Sequence, residues 1–532
     1  MKRPRSRRHR IMAIALTTGI GLLSSSLAAC SNGTSSSPGA GGTSSAPSGG
    51  PKHGGTLVMD MTNPVTTFDP LDIGTNENIW VFEQIGQPLF RTSLDGKSVE
   101  PCLATSASVS KDQLTWTIHL RHGVKFSNGQ PMTSKDVVFS LTRALNPKAL
   151  WYFINSNFKS VSADGPYTVI LKTKSPWAPT ESDLALFANS IFPANFGGEP
   201  ASQFFQAPIG TGPFKLSKWT KGQSVQLVKN PYYWEPGKPY LNAVTYNYVP
   251  DSNTRILQLK GDSAQVAEFI PYSLVSSVRA AGFNVTLFPS TQVNYYSLNH
   301  RSKPLEDANV RRALSLATNR NQINKSLFAS IGTVATSPLP PSMQYSVPTP
   351  SIVTYDPKAA QAALAKSAYP HGGFTLNFVI AGGDPVQSGA AQIFQAELKP
   401  LHINVKIESF DQATVNARQA AFNYDVMFGY YTNDITDVDE FFSFCYNGTI
   451  APWANYTHYA NPVVIKAIEQ AEHAFSSSQR ATLYAKALNT IAADSALDWV
   501  NYTPFVYAYP NAVHGFHVNP EGKFRLQDVW LG

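Results

Sequence analysis

The sequence has 532 residues, of which 43% are hydrophobic and 12% aromatic, and its formal net charge is +7. A chain of this size needs more than one hydrophobic core, so we expect two or three domains. The first ten residues hold six of the 42 Lys and Arg, and the other 36 balance 35 Asp and Glu. Because the chain is nearly neutral beyond this basic head, its charge argues against a nucleic-acid partner.

The N-terminus has the pattern of a secretory signal peptide. The basic head is followed by the apolar residues 11–23, too few for a transmembrane helix, and then by small residues. Residues 1–29 are therefore predicted to be a signal peptide. The tetrapeptide LAAC at its end resembles the lipobox of bacterial lipoproteins, which implies that Cys30 is lipidated and becomes the first mature residue. The alternative is an ordinary signal peptide with an incidental Cys30.

A Gly- and Ser-rich stretch, residues 30–53, follows the predicted cleavage point. It has too few apolar residues to build a core, so we expect a flexible linker between the lipid and the globular part. The remaining cysteines, Cys102 and Cys445, lie far apart in the sequence. Packing as separate small hydrophobic residues is favoured over a disulfide, although a disulfide stays open.

In the first half of the chain, residues 54–61 are predicted as a strand and residues 79–90 as a helix. The clearest strand lies in 113–132, where Leu114, Trp116, Ile118 and Leu120 alternate with polar residues before a Ser-Asn-Gly turn. A helix begins after Thr133, with Asp136 three residues on as in a capping box. Two strands joined by a turn are expected in 210–230, then a strand in 243–250 and a helix in 252–261.

From about Asn294 the pattern changes to alternating strands and helices. Residues 293–300 are predicted as a strand, and the helix within 305–323 begins at Asp307 as its N-cap. Residues 373–383, 389–403 and 404–410 form strand, helix and strand, a unit that favours a parallel sheet. A strand at 424–431 leads into the acidic segment 432–442, which is predicted as a loop, either solvated or ligand-binding. Two amphipathic helices and a final strand region are expected in 461–475, 478–496 and 502–518.

Motifs of catalysis and metal binding are weak in this sequence. The segments SVSK and SNFK, which begin at Ser108 and Ser156, fit the S-x-x-K pattern of penicillin-recognising enzymes, but the partner motifs S-D-N and K-T-G are absent. A calcium loop starting at Asp434 would need an oxygen ligand where Val438 stands. We therefore predict no catalytic residue, no metal site and no cofactor, and keep a serine-acyl enzyme as the alternative.

Several long segments together resemble bacterial extracellular solute-binding proteins of family 5, which bind peptides, nickel or oligopeptides for ABC importers. TFDPL at 67–71 resembles the early L-D-P loop of the family. The stretch LTWTIHLRHGVKFSNGQPMTSKDVVFSL is similar to its most recognisable hairpin and capped helix. Further similar blocks occur in the same order at 210–234, 251–262, 305–323 and 454–471. The resemblance covers the chain from residue 54 to its end.

The family implies an α/β fold of two lobes, the type II periplasmic-binding-protein-like fold, with an extra α/β domain inserted in the first lobe. The implied boundaries are an N-terminal lobe at 54–290 with its insertion at about 83–207, a C-terminal lobe at 291–505, and a return to the N-terminal lobe at 506–532. The chain would cross between lobes near residues 290 and 505. Closure of the lobes then depends on a ligand that contacts both of them.

The resemblance also implies a ligand site between the lobes. In oligopeptide-binding members the ligand backbone pairs with the loop after L-D-P and with a strand end in the second lobe. These positions match Gly74, Thr75 and Asn76 on one side, and Tyr430, Tyr431 and Thr432 on the other.

The family acid that accepts the α-amino group of the ligand matches Asp434. Trp453, Asn455 and Tyr456 resemble a segment that lines the cleft. The sequence departs from the family pattern at Tyr431, where a Trp is usual, and at Val438, where a Pro is usual.

The implied function is that of a substrate-binding lipoprotein of an ABC importer, which captures dipeptides or oligopeptides by hinge closure and delivers them to the permease. An oligosaccharide or a metal complex bound by the same fold is the alternative ligand. We expect a monomer on the extracellular face of the cytoplasmic membrane, held there only by the lipid on Cys30.

Overall fold

The computed structural model describes residues 50–349, 354–447 and 457–532, and these build an α/β protein with three main sheets. The first of them is a seven-stranded sheet, here called the N-lobe sheet. Its strands in spatial order are Asn284–Phe288, Phe505–Tyr509, Val266–Ala267, Thr56–Met61, Ala243–Tyr248, Ser224–Lys229 and Phe214–Thr220. Thr56–Met61 pairs in parallel with both of its neighbours, whereas Phe505–Tyr509, from the end of the chain, pairs antiparallel to Asn284–Phe288.

A four-stranded antiparallel sheet, the insert sheet, consists of Ala104–Val109, Thr115–Leu120, Thr168–Thr173 and Phe158–Ala163 in spatial order. Trp116, Ile118 and Leu120 point into its core, which confirms the alternation predicted there. The helix Ser134–Ala144 packs beside this sheet and begins with the predicted capping box between Thr133 and Asp136.

A six-stranded sheet, the C-lobe sheet, has the spatial order Thr333–Val334, Asp498–Tyr502, Val293–Leu298, Val426–Tyr431, Thr375–Ala381 and Asn404–Phe410. Thr375–Ala381 and Asn404–Phe410 run in parallel on either side of the helix Pro385–Leu398 in the chain, so the predicted strand–helix–strand unit is confirmed. Short two-stranded ladders also join Phe90–Thr92 to Val99–Pro101 and Val513–His514 to Trp530–Leu531.

The helices cover the faces of these sheets. Those before the C-lobe sheet are Asn76–Phe82, Ser134–Ala144, Tyr152–Asn155, Thr180–Asp183, Ala201–Phe204, Ser252–Lys260 and Val275–Ala280. Those that follow are Lys303–Glu306, Ala308–Ala317, Arg320–Phe328, Pro357–Leu364, Pro385–Leu398, Gln412–Ala420, Asp439–Tyr446, Pro462–Glu472 and Ser477–Ala493. Short 3-10 segments lie at Phe187–Asn189, Ala194–Gly198, Tyr272–Leu274, Lys399–Leu401 and Leu526–Asp528. The side chain of Asp307 caps Ala308–Ala317 as predicted, because it accepts the backbone N–H of Asn309 at 2.8 Å.

The chain passes twice between the N-lobe sheet and the C-lobe sheet. It leaves after Phe288 and returns between Tyr502 and Phe505. The two crossing segments are bonded to each other, since the hydroxyl of Ser290 donates to the carbonyl of Thr503 and the amide of Asn294 donates to Thr503 Oγ1 at 3.0 Å. Paired crossings of this kind suit a hinge. The domain boundaries given above stay a prediction.

Two local expectations are corrected by the structure, and a third is confirmed. The helix predicted at 79–90 is instead Asn76–Phe82, because the chain turns at Glu83–Ile85 and then enters the strand Phe90–Thr92. The acidic segment predicted as a loop becomes helical from Asp439. The favoured packing of Cys102 and Cys445 as separate hydrophobic residues is confirmed, because both are free and lie in separate core clusters.

No helix among the described residues is both long and apolar enough to cross a membrane.

Candidate ligand-binding site

The loop before the helix Asn76–Phe82 forms the N-lobe side of the predicted site. Asp69, in the TFDPL motif, makes an ion pair with Arg143 from the helix Ser134–Ala144. Deeper in the loop, the buried Trp151 donates its indole N–H to the carbonyl of Ile73 at 2.8 Å. These contacts hold the loop at Asp69 and at Ile73. The next three residues, Gly74, Thr75 and Asn76, lie at the surface.

The end of the strand Val426–Tyr431 forms the C-lobe side. Tyr430 is half-exposed, whereas Tyr431 and Thr432 are buried. The hydroxyl of Tyr431 donates to Glu440 Oε1 at 3.0 Å. The strand is held between Val293–Leu298 and Thr375–Ala381, so its carboxyl end is a rigid platform.

The two sides meet directly. The side-chain amide of Asn76 donates to Thr432 Oγ1 at 3.1 Å, although the two residues are 356 positions apart in the sequence. Gly74 and Thr75, next to Asn76, are exposed. The structure therefore brings Asn76 and Thr432 together and leaves the backbone beside them accessible.

A second contact between the lobes lies just beyond the strand end. The ammonium of Lys523, in the segment that returns to the N-lobe, donates to the carbonyl of Asp434 at 2.7 Å. Ile435 packs in the N-lobe core. Thr436 donates through its hydroxyl to Thr92 Oγ1 at 3.1 Å. The acidic segment thus penetrates the N-lobe, and the lobes are closed on each other.

The side chain of Asp434 is buried in this contact, with 4% of its surface exposed. Its Oδ1 atom has no hydrogen-bond partner among the described residues. Burial raises the pKa of the Asp434 carboxyl to about 7, against the opposing effect of the Lys523 ammonium and with a further rise from Glu83 and Glu521. A buried carboxyl without a partner is costly, and a cationic donor beside it would restore the ionised form.

Glu440 shapes the backbone around Asp434. One of its carboxyl oxygens accepts the backbone N–H groups of Asp434 and Ile435, at 2.7 and 3.0 Å. Because the other oxygen accepts the Tyr431 hydroxyl, Glu440 ties the strand end to the acidic segment.

A cavity of about 250 Å³ lies between the lobes next to this contact. Residues of both lobes line it: Gly96, Lys97, Pro520 and Glu521 from one, and Thr291, Ser342, Met343, Gln344, Ile435 and Thr436 from the other. Glu521 Oε2 is also buried without a hydrogen-bond partner in the described part of the chain. The lining includes Glu521 and the two residues that follow Asp434, so the cavity lies beside the contact that the acidic segment makes with the N-lobe.

Two residues of this site were missed by the sequence analysis, Lys523 and Glu440. Lys523 forms ion pairs with Glu83 at 3.1 Å and with Glu521 at 3.5 Å. No local signal distinguishes it from a surface lysine. Glu440 stood in the acidic segment, but its spacing from Asp434 gave no indication of a backbone contact.

The remaining predicted residues give mixed outcomes. Trp453, Asn455, Tyr456 and Cys30 lie outside the described residues. The solvated alternative for the acidic segment is wrong, because Asp434, Asp437, Asp439 and Glu440 are all buried. Protonation and remote partners make this burial tolerable, and neither is visible in the local sequence.

Neither S-x-x-K segment forms a helical Ser–Lys pair. Ser108 is exposed on the strand Ala104–Val109, and Ser156 follows the short helix Tyr152–Asn155 while Lys159 already belongs to a strand. The serine-acyl alternative therefore has no supporting geometry. Within the described residues no group of three or more His, Cys, Asp or Glu side chains is arranged to hold a metal ion.

Comparisons with known proteins agree with this geometry. A family model described as bacterial extracellular solute-binding proteins, family 5 middle, matches residues 98–453. The glutathione-binding protein GsiB of Escherichia coli O6:K15:H31 (strain 536 / UPEC) is 28% identical over 89% of this chain and 94% of its own length. GsiB of Salmonella choleraesuis (strain SC-B67) is 32% identical over 67% of this chain and 69% of its own length.

A solved structure is similar over nearly the whole folded part. The ABC transporter-associated periplasmic binding protein DppA from Helicobacter pylori, in complex with the peptide STSA, is 25% identical with a TM-score of 0.82. The match covers 90% of this chain and 98% of that protein. It confirms the two-lobe, type II periplasmic-binding-protein fold with an α/β domain inserted in the first lobe.

Proposed function

The chain belongs to the bacterial extracellular solute-binding proteins of family 5, and from this premise we propose that it captures peptides for an ABC importer. The observation that carries the proposal is the buried carboxyl of Asp434 at the closed junction of the lobes. Asp434 Oδ1 lacks a donor there, and a peptide α-amino group would supply a cationic one. Two relatives support the same ligand class: GsiB is a glutathione-binding protein, and the structure of DppA holds the peptide STSA.

The ligand amine would sit between the two lobes. Asp434 Oδ1 has no hydrogen-bond donor among the described residues, whereas Glu521 Oε2 lies 3.5 Å from the Lys523 ammonium, which also contacts Glu83 and the Asp434 carbonyl. An ammonium group beside Asp434 would therefore meet three carboxyl groups, those of Asp434, Glu83 and Glu521, and one ammonium group. Ligand contacts to both lobes would stabilise the closed form, as a binding protein requires.

The ligand backbone would extend from this amine along the exposed backbone of the two sides. We assign its main-chain partners to Gly74, Thr75 and Asn76 on the N-lobe and to Tyr430, Tyr431 and Thr432 on the C-lobe. Half-exposed Tyr430 and accessible Gly74 support this assignment. Trp453, Asn455 and Tyr456 complete the proposed cleft.

The cellular setting follows from the N-terminal sequence. We propose cleavage after residue 29, lipidation of Cys30 and a linker from there to residue 53. The protein would then act as a monomer on the extracellular face of the cytoplasmic membrane and deliver its ligand to the permease subunits of the importer. The α/β lobes at 54–290 and 291–505, with the return at 506–532, are the proposed moving parts, and the paired crossings at Ser290 and Thr503 support this division.

Native mass spectrometry of the purified protein tests the ligand class. We expect a bound species whose mass and fragmentation fit a peptide, because a closed cleft retains its cargo. Calorimetry then compares that peptide with its N-acetylated form, which cannot carry the ammonium, and we expect at least a tenfold weaker Kd for the acetylated peptide. A bound sugar or metal complex, or equal affinity for the two peptides, would reject the proposal.

A further inference from the structure

The inserted domain and the C-lobe share a second contact surface, which we call the clasp. It joins residues 175–183 of the inserted domain to residues 437–443 and 472–480 of the C-lobe. The backbone N–H of Ala178 donates to the carbonyl of Glu472 at 2.8 Å, and that of Asp437 donates to Ser182 Oγ at 2.9 Å. Backbone contacts of this kind form only when the two parts are together.

Aromatic side chains form the rim of the clasp. Trp116 of the insert sheet stacks on Phe475 with ring centroids 6.2 Å apart, and Trp177 meets His473 edge-on at 6.0 Å. Ser175 Oγ lies 3.1 Å from His473 Nε2. The rim covers a buried interior that consists mainly of carboxyl groups.

Four carboxyl side chains gather in this interior, all of them buried: Asp183, Asp437, Asp439 and Glu472. One cation, Arg480, faces them in the described structure; it donates two hydrogen bonds of 2.6 and 2.7 Å to Asp437 and one of 3.0 Å to the Tyr484 hydroxyl. The other three carboxyl groups therefore lack a cationic partner of their own.

The hydrogen bonds of Asp183 are incomplete, whereas Asp439 and Glu472 share a hydrogen bond between their carboxyl groups. Asp183 Oδ2 accepts the indole N–H of Trp177 at 2.6 Å, but Oδ1 has no partner among the described residues. The hydroxyl of Ser443 lies 3.3 Å from both Asp439 Oδ1 and Glu472 Oε1. Like charges this close and this deep are held only if some are neutral.

Burial and mutual repulsion act in the same direction on these groups. Burial raises the pKa of Asp439 to about 6, and Asp437 adds to the rise. Burial also raises the pKa of Asp183 and of Glu472 well above the ordinary range, with Asp439 as the next cause for both. The other titratable or charged groups that face the three are Asp437, Arg480, Tyr484 and Glu469, together with His473 on the rim. Burial lowers the pKa of His473, so this side chain alone opposes proton uptake on closure.

We propose that the clasp is a proton-dependent latch, in which Asp183, Asp439 and Glu472 take up protons from solvent as the inserted domain closes on the C-lobe. When the lobes part, these side chains meet water and release the protons. Acidic surroundings would therefore favour the closed form, and neutral surroundings would ease release to the permease. The latch involves neither Asp434 nor the ligand, so it is independent of the peptide proposal.

The size of the effect follows from linkage. A carboxyl group with a pKa near 4 in the open form and about 6 in the closed form binds more protons when closed, so closure strengthens as the pH falls through 6. Between pH 7.5 and 5.5, Asp439 alone shifts the closure equilibrium by about fourfold. Asp183 and Glu472, the latter hydrogen-bonded to Asp439, act in the same direction, whereas His473 acts in the opposite one.

Hydrogen exchange of the ligand-free protein tests the latch. The amides of Ala178 and Asp437 report closure, because their partners lie across the clasp. After correction for the intrinsic exchange rate, we expect at least about fourfold greater protection of both amides at pH 5.5 than at pH 7.5. A ratio within twofold of unity in the wild-type protein would overturn the proposal.

Variants assign the effect to the carboxyl groups. Asp439→Asn should raise protection at pH 7.5 and remove about fourfold of the pH dependence, since the amide mimics the protonated acid. Glu472→Gln should act in the same direction and provides a second test should the first variant fold poorly. Asp164→Asn, an exposed acid of the inserted domain, is the matched control and should keep the wild-type ratio. Unchanged pH dependence in both Asp439→Asn and Glu472→Gln would refute the assignment.

Discussion

Asp434 illustrates how a single buried side chain can serve binding at the cost of stability. Its carboxyl is surrounded by Glu83, Glu521 and the ammonium of Lys523, and its Oδ1 atom has no hydrogen-bond donor among the described residues. An unpaired buried acid of this kind destabilises the empty closed form. Under the proposed function, the closed form would therefore depend on a cationic group brought by the ligand.

The variant Asp434→Asn separates these two effects. We expect peptide affinity to fall at least about tenfold, a loss of about 1.4 kcal/mol, because the amide offers no negative charge to the ligand ammonium. Calorimetry with the co-purified peptide measures this loss, and Asp164→Asn is the control. An unchanged Kd would show that the ligand amine binds elsewhere.

The same variant should raise the unfolding temperature at high pH, although it lowers the peptide affinity. The pKa of Asp434 is raised to about 7 in the folded protein, so its favourable contribution is present at low pH and is lost as the pH rises through 7. We therefore expect Asp434→Asn to unfold at a higher temperature than the wild-type protein at pH 8, but not at pH 5. Calorimetric unfolding of the ligand-free proteins at both pH values checks this expectation, and an equal difference at both would contradict it.

Among the elements, the helix Ser134–Ala144 shows how the local sequence determines the residue at which a helix begins. Asp136 accepts the backbone N–H of Thr133 at 2.7 Å through one oxygen and that of Ala194 at 2.9 Å through the other. One carboxylate thus closes the capping box and anchors a neighbouring loop. Both donors would be left without this partner by truncation.

Replacing Asp136 by Ala should therefore destabilise the inserted domain by about 1–2 kcal/mol. Urea unfolding followed by circular dichroism measures the change. Lys135→Ala, on the exposed face of the same helix, should leave the midpoint unchanged. Equal effects of the two substitutions would mean that the capping box contributes no more than helix propensity.

The sequence pattern correctly predicted those elements whose structure depends on a few neighbouring residues. The alternation around Trp116 and Ile118 and the caps at Thr133 and Asp307 are properties of a few consecutive residues, and all are confirmed. The helix near Trp80 was misplaced because its boundaries depend on tertiary contacts: its end is set by a turn that leads into another ladder.

The candidate site was predictable only in part. The resemblance located Asn76, Thr432 and Asp434, and the first two meet across the lobes. Lys523 could not be inferred, since it reaches Asp434 from 89 residues away and stands among ordinary polar residues. The buried acids of the clasp were likewise invisible, because their neutralisation depends on groups from two domains.

At the scale of the whole molecule, the two lobes are joined by paired crossings and touch at two further places. The crossings are tied by Ser290, Asn294 and Thr503, near the ends of the strands they connect. The ligand site at Asp434 and the clasp at Asp183 lie on separate contact surfaces between the lobes. Closure can thus respond to ligand at the Asp434 contact and, through the raised pKa values of buried carboxyl groups, to pH at both surfaces.

Small-angle X-ray scattering of the protein, stripped of cargo and then saturated with its co-purified peptide, tests the closing movement most directly. We predict a smaller radius of gyration with the peptide, since ligand contacts to both lobes stabilise the closed arrangement. Saturation is verified by calorimetry on the same samples. Superimposable scattering curves from the stripped and saturated protein would contradict the account.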